Sequence, residues 1–135
     1  ALNGNKILAP LCGKPLLWWT LRALLNPAAL PANAVAGELV IAAKTEEWPL
    51  IQRVVDELEY SNPFVKLVEG GATRQDSVHA AVKVARGDYV LVHDAARPLL
   101  SPDVMRRTVE SAIQNGAALP PPPPPPPPHP APAPT

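Results

Sequence analysis

Cysteine is nearly missing. Cys12 stands alone among 135 residues, which excludes a disulfide framework and a thiolate metal cage. Beside "APL" it reads as a small core hydrophobe. Net charge is missing as well: twelve basic and twelve acidic residues cancel. The chain therefore lacks the electrostatic footprint of a nucleic-acid binder or of a protein held on an anionic membrane. No apolar run approaches the roughly 20 residues of a membrane-spanning helix. The opening "ALNGNKILAP" lacks the charged start and long apolar core of a signal peptide. His79, His93 and His129 have no metal-site spacing. No Ser-His-Asp set, P-loop, GxGxxG fingerprint or internal repeat occurs. What remains is a soluble, intracellular globular domain, long enough for one domain and too short for two.

Proline is abundant in one place. Twelve of the 20 prolines lie between Pro120 and Pro134, and nine of them run unbroken from Pro120 to Pro128. Such a run offers no ladder donors and favours polyproline II. It divides the chain into a domain over residues 1–118 and a proline-rich tail over 119–135. The tail is either solvated or a ligand for an aromatic-grooved adaptor domain.

Within residues 14–118 the hydrophobic period alternates. "GKPLLWWTLRALLN" predicts a helix with Pro15 in its first turn and Leu17, Leu21 and Leu24 on one face. Asn26-Pro27 stops it. "ELVIAA" (38–43) is a strand of buried type. Thr45 is expected to cap a helix carrying Glu46 and Glu47 in its first turn, with Leu50, Ile51, Val54, Val55 and Leu58 inward. "FVKLVE" (64–69) is a second strand. "DSVHAAVKVA" (76–85) is a helix with Val78, Ala81, Val82 and Ala85 inward. "DYVLVH" (88–93) is a third strand. A last helix starts at Ser101-Pro102-Asp103 and ends before Gly116, with Val104, Thr108, Ala112 and Ile113 along it. This order predicts an α/β fold: a mostly parallel sheet with helices on both faces, in three Rossmann-like layers. Such a fold normally opens with a strand, yet residues 1–13 hold only the brief "KILAPL", as if the chain began late.

Ligands of such sheets bind outside the carboxyl ends of the strands, where two motifs fall. In "GGATRQDSV" (70–78), Gly70 and Gly71 allow close backbone approach and left-handed angles. Asp76 or Ser77 can cap the next helix, whose amino end favours anions, and Arg74 adds positive charge. The same residues also make an ordinary turn and cap. In "HDAARP" (93–98), Asp94 can bind a divalent cation or a ribose hydroxyl. Ala95 and Ala96 leave room for a flat ligand, and Arg97 can hold a phosphate. Asp94 and Arg97 can equally form a local ion pair. His93 reads as a packed strand residue, Trp18 and Trp19 as packing and surface residues, and Lys6 by itself as a solvated lysine.

Together "NKILAPLCGKPLLWWTL", "GGATRQDSV" and "VLVHDAARPLLSPD" resemble the 2-C-methyl-D-erythritol 4-phosphate cytidylyltransferase family of the non-mevalonate isoprenoid pathway. The resemblance covers residues 3–118. It implies a nucleotidyltransferase fold and transfer of CMP from CTP to 2-C-methyl-D-erythritol 4-phosphate, with Mg²⁺ as cofactor. It also implies a homodimer, and either a bacterial cytoplasm or a plastid stroma. The nearest rival is a ribitol-phosphate cytidylyltransferase; a rival of another class is a non-catalytic nucleotide-binding or adaptor module. By resemblance Lys6 stabilises charge on the α-phosphate. Gly70, Gly71 and Ser77 surround cytosine and ribose, with Arg74 beside them. Asp94, Ala95 and Arg97 serve nucleotide and polyol phosphate, with Asp94 on the metal. The family's glycine-rich opening loop, A-A-G-x-G-x-R-M, is expected before Asn3, and a second half after Ala118. Without them the 135 residues are expected to keep part of the nucleotide pocket and turn over CTP poorly.

Overall fold

Helical and extended periods in the sequence become short elements in the computed structural model, which describes residues 6–58, 64–118 and 127–128. The proline-rich tail, Pro127 and Pro128 apart, lies outside the described residues. A 3₁₀ turn, Lys6–Leu8, leads into a small antiparallel hairpin of β1 (Pro10–Leu11) and β2 (Lys14–Pro15). Its two turn residues take left-handed angles, Cys12 at φ 50° and Gly13 at φ 84°. A two-residue hairpin loop demands this conformation. It also corrects the expectation for Cys12, which is exposed at the turn tip and not in the core.

Helix α1 (Leu16–Leu24) follows, with Pro15 at its cap position. Leu17 and Leu21 are buried on its inner face, and Leu24 packs beside them. Asn26 ends it: its side chain accepts the Ala28 amide at 3.0 Å and opens a 3₁₀ turn, Pro27–Ala29.

The two central strands stand where the apolar runs predict. β3 (Glu38–Ala43) and β4 (Phe64–Glu69) pair in parallel, one-to-one from Glu38 opposite Phe64 to Ala43 opposite Glu69. Side chains alternate across a strand, so residues 39, 41 and 43 share a face with 65 and 67. That face meets Leu17 and Leu21 of α1 and Ile51 and Val54 of α2 (Trp48–Asp56) in one apolar cluster. At the amino end of the sheet, Glu38 pairs with Lys66 at 3.6 Å and accepts the Arg86 amide at 2.7 Å.

The start of α2 differs from expectation. Thr45 caps nothing: Thr45–Glu47 is a 3₁₀ turn without a side-chain cap, and the α-helix begins at Trp48 with Pro49 in its first turn. The inward stripe then runs through 51, 54, 55 and 58. Leu50, about 100° away on the helical wheel, is exposed. Ile51 is fully buried at the centre of the cluster. Ile51→Ala is expected to cost roughly 2–5 kcal/mol by removing buried methylenes and leaving a cavity. Urea denaturation measures it; a loss below about 1 kcal/mol would mean the cluster collapses freely around the gap.

Helix α3 (Arg74–Val84) packs on β3 and β4. Its start lies two residues earlier than the sequence suggests. Val82, expected inward, is exposed, and Val84 is half-buried in its stead. Helix α4 (Pro102–Asn115) follows its signals closely. The Ser101 hydroxyl accepts the Val104 amide, and Gly116 closes the helix at φ 87°. Met105 is its buried residue.

The expected third strand does not form a ladder. Residues 88–93 carry no strand pairing, and Tyr89, Val90, Leu91 and Val92 are all 45–52 % exposed. Even exposure along the run, without alternation, means that neither face is packed. A strand exists only through its neighbour, and among the described residues none pairs with this one. His93 is accordingly not a packed strand residue; it sits half-buried at the start of a turn.

Candidate nucleotide-binding site

The loop after β4 is built by its own hydrogen bonds. The Gly70 amide donates to Ala43 O at 3.0 Å, extending the ladder by one residue. The Trp48 indole N–H donates to the same carbonyl at 3.0 Å. Gly70 is thus held at the carboxyl end of β3. The Gly71 amide then donates to Ser77 Oγ at 3.0 Å, folding the loop onto the first turn of α3. Thr73 is the cap of that helix, not Asp76 or Ser77: its hydroxyl accepts the Asp76 amide at 3.1 Å. The Thr-x-x-Asp spacing of residues 73–76 is a capping-box pattern that carries this signal in sequence.

The two glycines are needed for space. Neither adopts a left-handed angle, contrary to expectation; among the described glycines only Gly13 and Gly116 do. A Cβ on Gly71 would overlap Asp76 Cβ and come within 3.2 Å of the Asp76 carbonyl carbon. On Gly70 it would approach Ser77 Oγ at 3.2 Å. Ser77 Oγ accepts one amide and keeps its own proton for another partner. Arg74 opens α3, exposed and without an ion pair among the described residues.

The second loop is a tight turn. Asp94 Oδ1 accepts the Ala96 amide at 3.0 Å, and Asp94 O accepts the Arg97 amide at 3.1 Å. His93 Nε2 lies 2.9 Å from Arg97 O. The ion pair between Arg97 Nε and Asp94 Oδ2 exists, but at 3.8 Å, with the Arg97 side chain 79 % exposed. Such a pair is worth about 0–1 kcal/mol, so it leaves both charges available. Thr20 Oγ1 donates to Ala95 O at 2.7 Å across 75 residues of chain. Thr20 and Trp48 both hold this region, and neither stood out in sequence.

Lys6 is exposed on its 3₁₀ turn, while Ile7 beside it is buried. One apolar cluster anchors all three stretches. Ile7 and Ala43 belong to it, and Ala95 and Ala96 pack against it.

Comparison of this sequence with known families gives a match over residues 1–123 to 2-C-methyl-D-erythritol 4-phosphate cytidylyltransferase. This chain belongs to that family. A cytidylyltransferase of this name from Acidobacterium capsulatum is 40 % identical over 110 residues, covering 79 % of the chain and 43 % of the relative. One from Synechococcus sp. strain JA-3-3Ab is 37 % identical over 107 residues, covering 76 % and 43 %. One from Syntrophotalea carbinolica is 38 % identical over 119 residues, covering 85 % and 48 %. The chain spans about half the length of these relatives. Within this cytidylyltransferase family match fall all eight residues singled out above, from Lys6 to Arg97. No helix among the described residues is long and apolar enough to cross a membrane.

Proposed function

We propose that residues 1–118 form the CTP-binding part of an enzyme that transfers CMP to 2-C-methyl-D-erythritol 4-phosphate. A phosphate oxygen of the polyol attacks the α-phosphorus of CTP in line, the bond to the β-phosphate oxygen breaks, and pyrophosphate leaves. The products are 4-diphosphocytidyl-2-C-methyl-D-erythritol and pyrophosphate. Little covalent work falls to the protein, so positioning and charge stabilisation carry the rate. The observation that carries this reading is the family match across the whole region holding the two loops.

Each residue has a role suited to its chemistry. Gly70 and Gly71 form a wall without side chains against which cytosine and ribose lie, and Ser77 offers them its free O–H. Arg74 adds positive charge at the amino end of α3. Asp94 and Arg97 divide the charged work, the first meeting hydroxyls or a cation and the second a phosphate, while Ala95 keeps the space between them open. Lys6 meets the charge that develops on the α-phosphate.

Asp94 also suits Mg²⁺. Its carboxylate is a hard oxygen donor, its side chain is 40 % exposed, and one amide plus a 3.8 Å ion pair leave lone pairs unused. Mg²⁺ is commonly held by one or two carboxylates together with substrate phosphates. When bound it supplies neutralisation of triphosphate charge. We further read the fold as the three-layer nucleotidyltransferase arrangement, and the enzyme as a homodimer of a bacterial cytoplasm or plastid stroma. The bacterial relatives favour the former compartment.

Calorimetry of CTP with and without Mg²⁺ tests the reading. CTP is expected to bind, and Mg²⁺ to tighten binding. In Asp94→Asn, which keeps an oxygen for the Ala96 amide, the Mg²⁺-dependent gain is expected to vanish. CTP that fails to bind the unmodified protein would end the proposal. In a full-length enzyme carrying these residues, pyrophosphate release with ribitol phosphate in place of methylerythritol phosphate separates the two polyols.

A further inference from the structure

We propose that Thr20 is a positioning residue for the 94–97 turn, an inference that rests on the nucleotide-site reading above. Thr20 lies on the buried face of α1 between Leu17 and Leu21, and is 1 % exposed. Among the described residues it is the buried polar side chain. A buried hydroxyl without a partner costs more than a hydrogen bond returns, so this position needs a reason.

Its one proton has two acceptors in reach. Leu16 O, one turn back on the same helix, is 3.4 Å away, and Ala95 O is 2.7 Å away. The shorter contact takes the proton, so the bond leaves the helix and reaches the turn.

The other hydrogen bonds of the turn are local. Ala96 to Asp94, Arg97 to Asp94, and His93 to Arg97 all span four residues or fewer. Such bonds set the shape of the turn and say nothing about where it sits. Upstream, residues 88–93 have no ladder among the described residues to hold them in place. Packing of Ala95 and Ala96 on the cluster is non-directional. Among the described residues, the Thr20 bond is the one hydrogen bond that ties the turn to another element. It fixes the carbonyl between Asp94 and Ala96, and therefore the bearing of the Asp94 carboxylate and the Arg97 guanidinium toward an incoming phosphate.

Two substitutions separate positioning from packing. Thr20→Val keeps the shape and loses the donor; Thr20→Ser keeps the donor and loses a methyl group. Amide hydrogen exchange of the full chain reads the turn directly, with the amides of Ile41 and Val54 as core reference. In Thr20→Val, exchange at Ala96 and Arg97 is expected to rise about tenfold, in line with the loss of one buried hydrogen bond, while the reference amides hold. In Thr20→Ser the turn is expected to keep its protection, and CTP affinity to stay near that of the parent, whereas Thr20→Val weakens it. Should Ser loosen the turn as much as Val, or Val speed exchange equally through the core, Thr20 is a packing residue and the inference falls. A turn loosened by Val in a protein that never binds CTP would uphold the positioning role and sink the nucleotide reading.

Discussion

Lys6→Ala in a full-length enzyme carrying these residues is expected to lower kcat by roughly 10²–10³-fold while leaving CTP affinity nearly unchanged. The structure separates the two parts of this residue. Its backbone leads directly into Ile7, which is buried in the cluster that also receives Ala95 and Ala96. Its side chain is exposed and holds no ion pair among the described residues. Truncation therefore removes a charge without opening the core, and surface changes of this kind shift stability by about 0.5 kcal/mol or less. A cation that engages developing charge on the α-phosphate acts in the transition state more than in the ground state, so the loss falls on kcat. Pyrophosphate release at saturating CTP measures the rate, and calorimetry the affinity. A variant with a raised KM and an intact kcat would make Lys6 a ground-state contact.

Gly71→Val is expected to abolish measurable CTP binding and to destabilise the fold by roughly 1–3 kcal/mol, the usual range for overpacking. A Cβ at this position meets backbone, with the Asp76 carbonyl carbon at 3.2 Å and Cα at 3.3 Å. Backbone at the start of a helix yields only by moving the helix. The shift would break the Gly71–Ser77 bond and disturb the Thr73 cap together. Gly70 provides the internal control. A Cβ there meets first the Ser77 hydroxyl at 3.2 Å, a side chain that can rotate, and only at 3.6 Å the backbone of Ala43. Gly70→Ala is therefore expected to weaken CTP binding with little loss of stability. Denaturant midpoints and CTP titrations of both variants read the contrast, and equal stabilities for the two would refute the steric account.

Much of this was legible from residues alone, for identifiable reasons. The bounds of α4 follow from Ser101, Pro102 and Gly116, because caps and helix-stopping glycines act locally. β3 and β4 follow from short runs rich in Val, Ile, Leu and Phe, the residues that favour a pleated, half-buried surface. The failures share a physical cause: each depended on a partner distant in sequence or on the helical phase. Residues 88–93 have the composition of a strand, but composition cannot supply a neighbour. Leu50 and Val82 face outward because the elements packed against α2 and α3 decide which side of each helix is inward, and one residue along the chain is about 100° around it. The motif residues were visible as motifs. Thr20 was not, since a threonine within an apolar helix announces nothing until the chain 75 residues away is folded against it.

The uncovered run from Tyr89 to Val92 also governs how the protein behaves at high concentration. It presents four successive residues with no charge and no proline, half in solvent, the composition that natural edge strands guard against with lysines, prolines or bulges. A formal net charge of zero provides no long-range repulsion to keep copies apart. Colloidal stability then depends on dilution and on whatever covers this run. Raising or lowering salt would change it little, because there is scarcely any repulsion to screen.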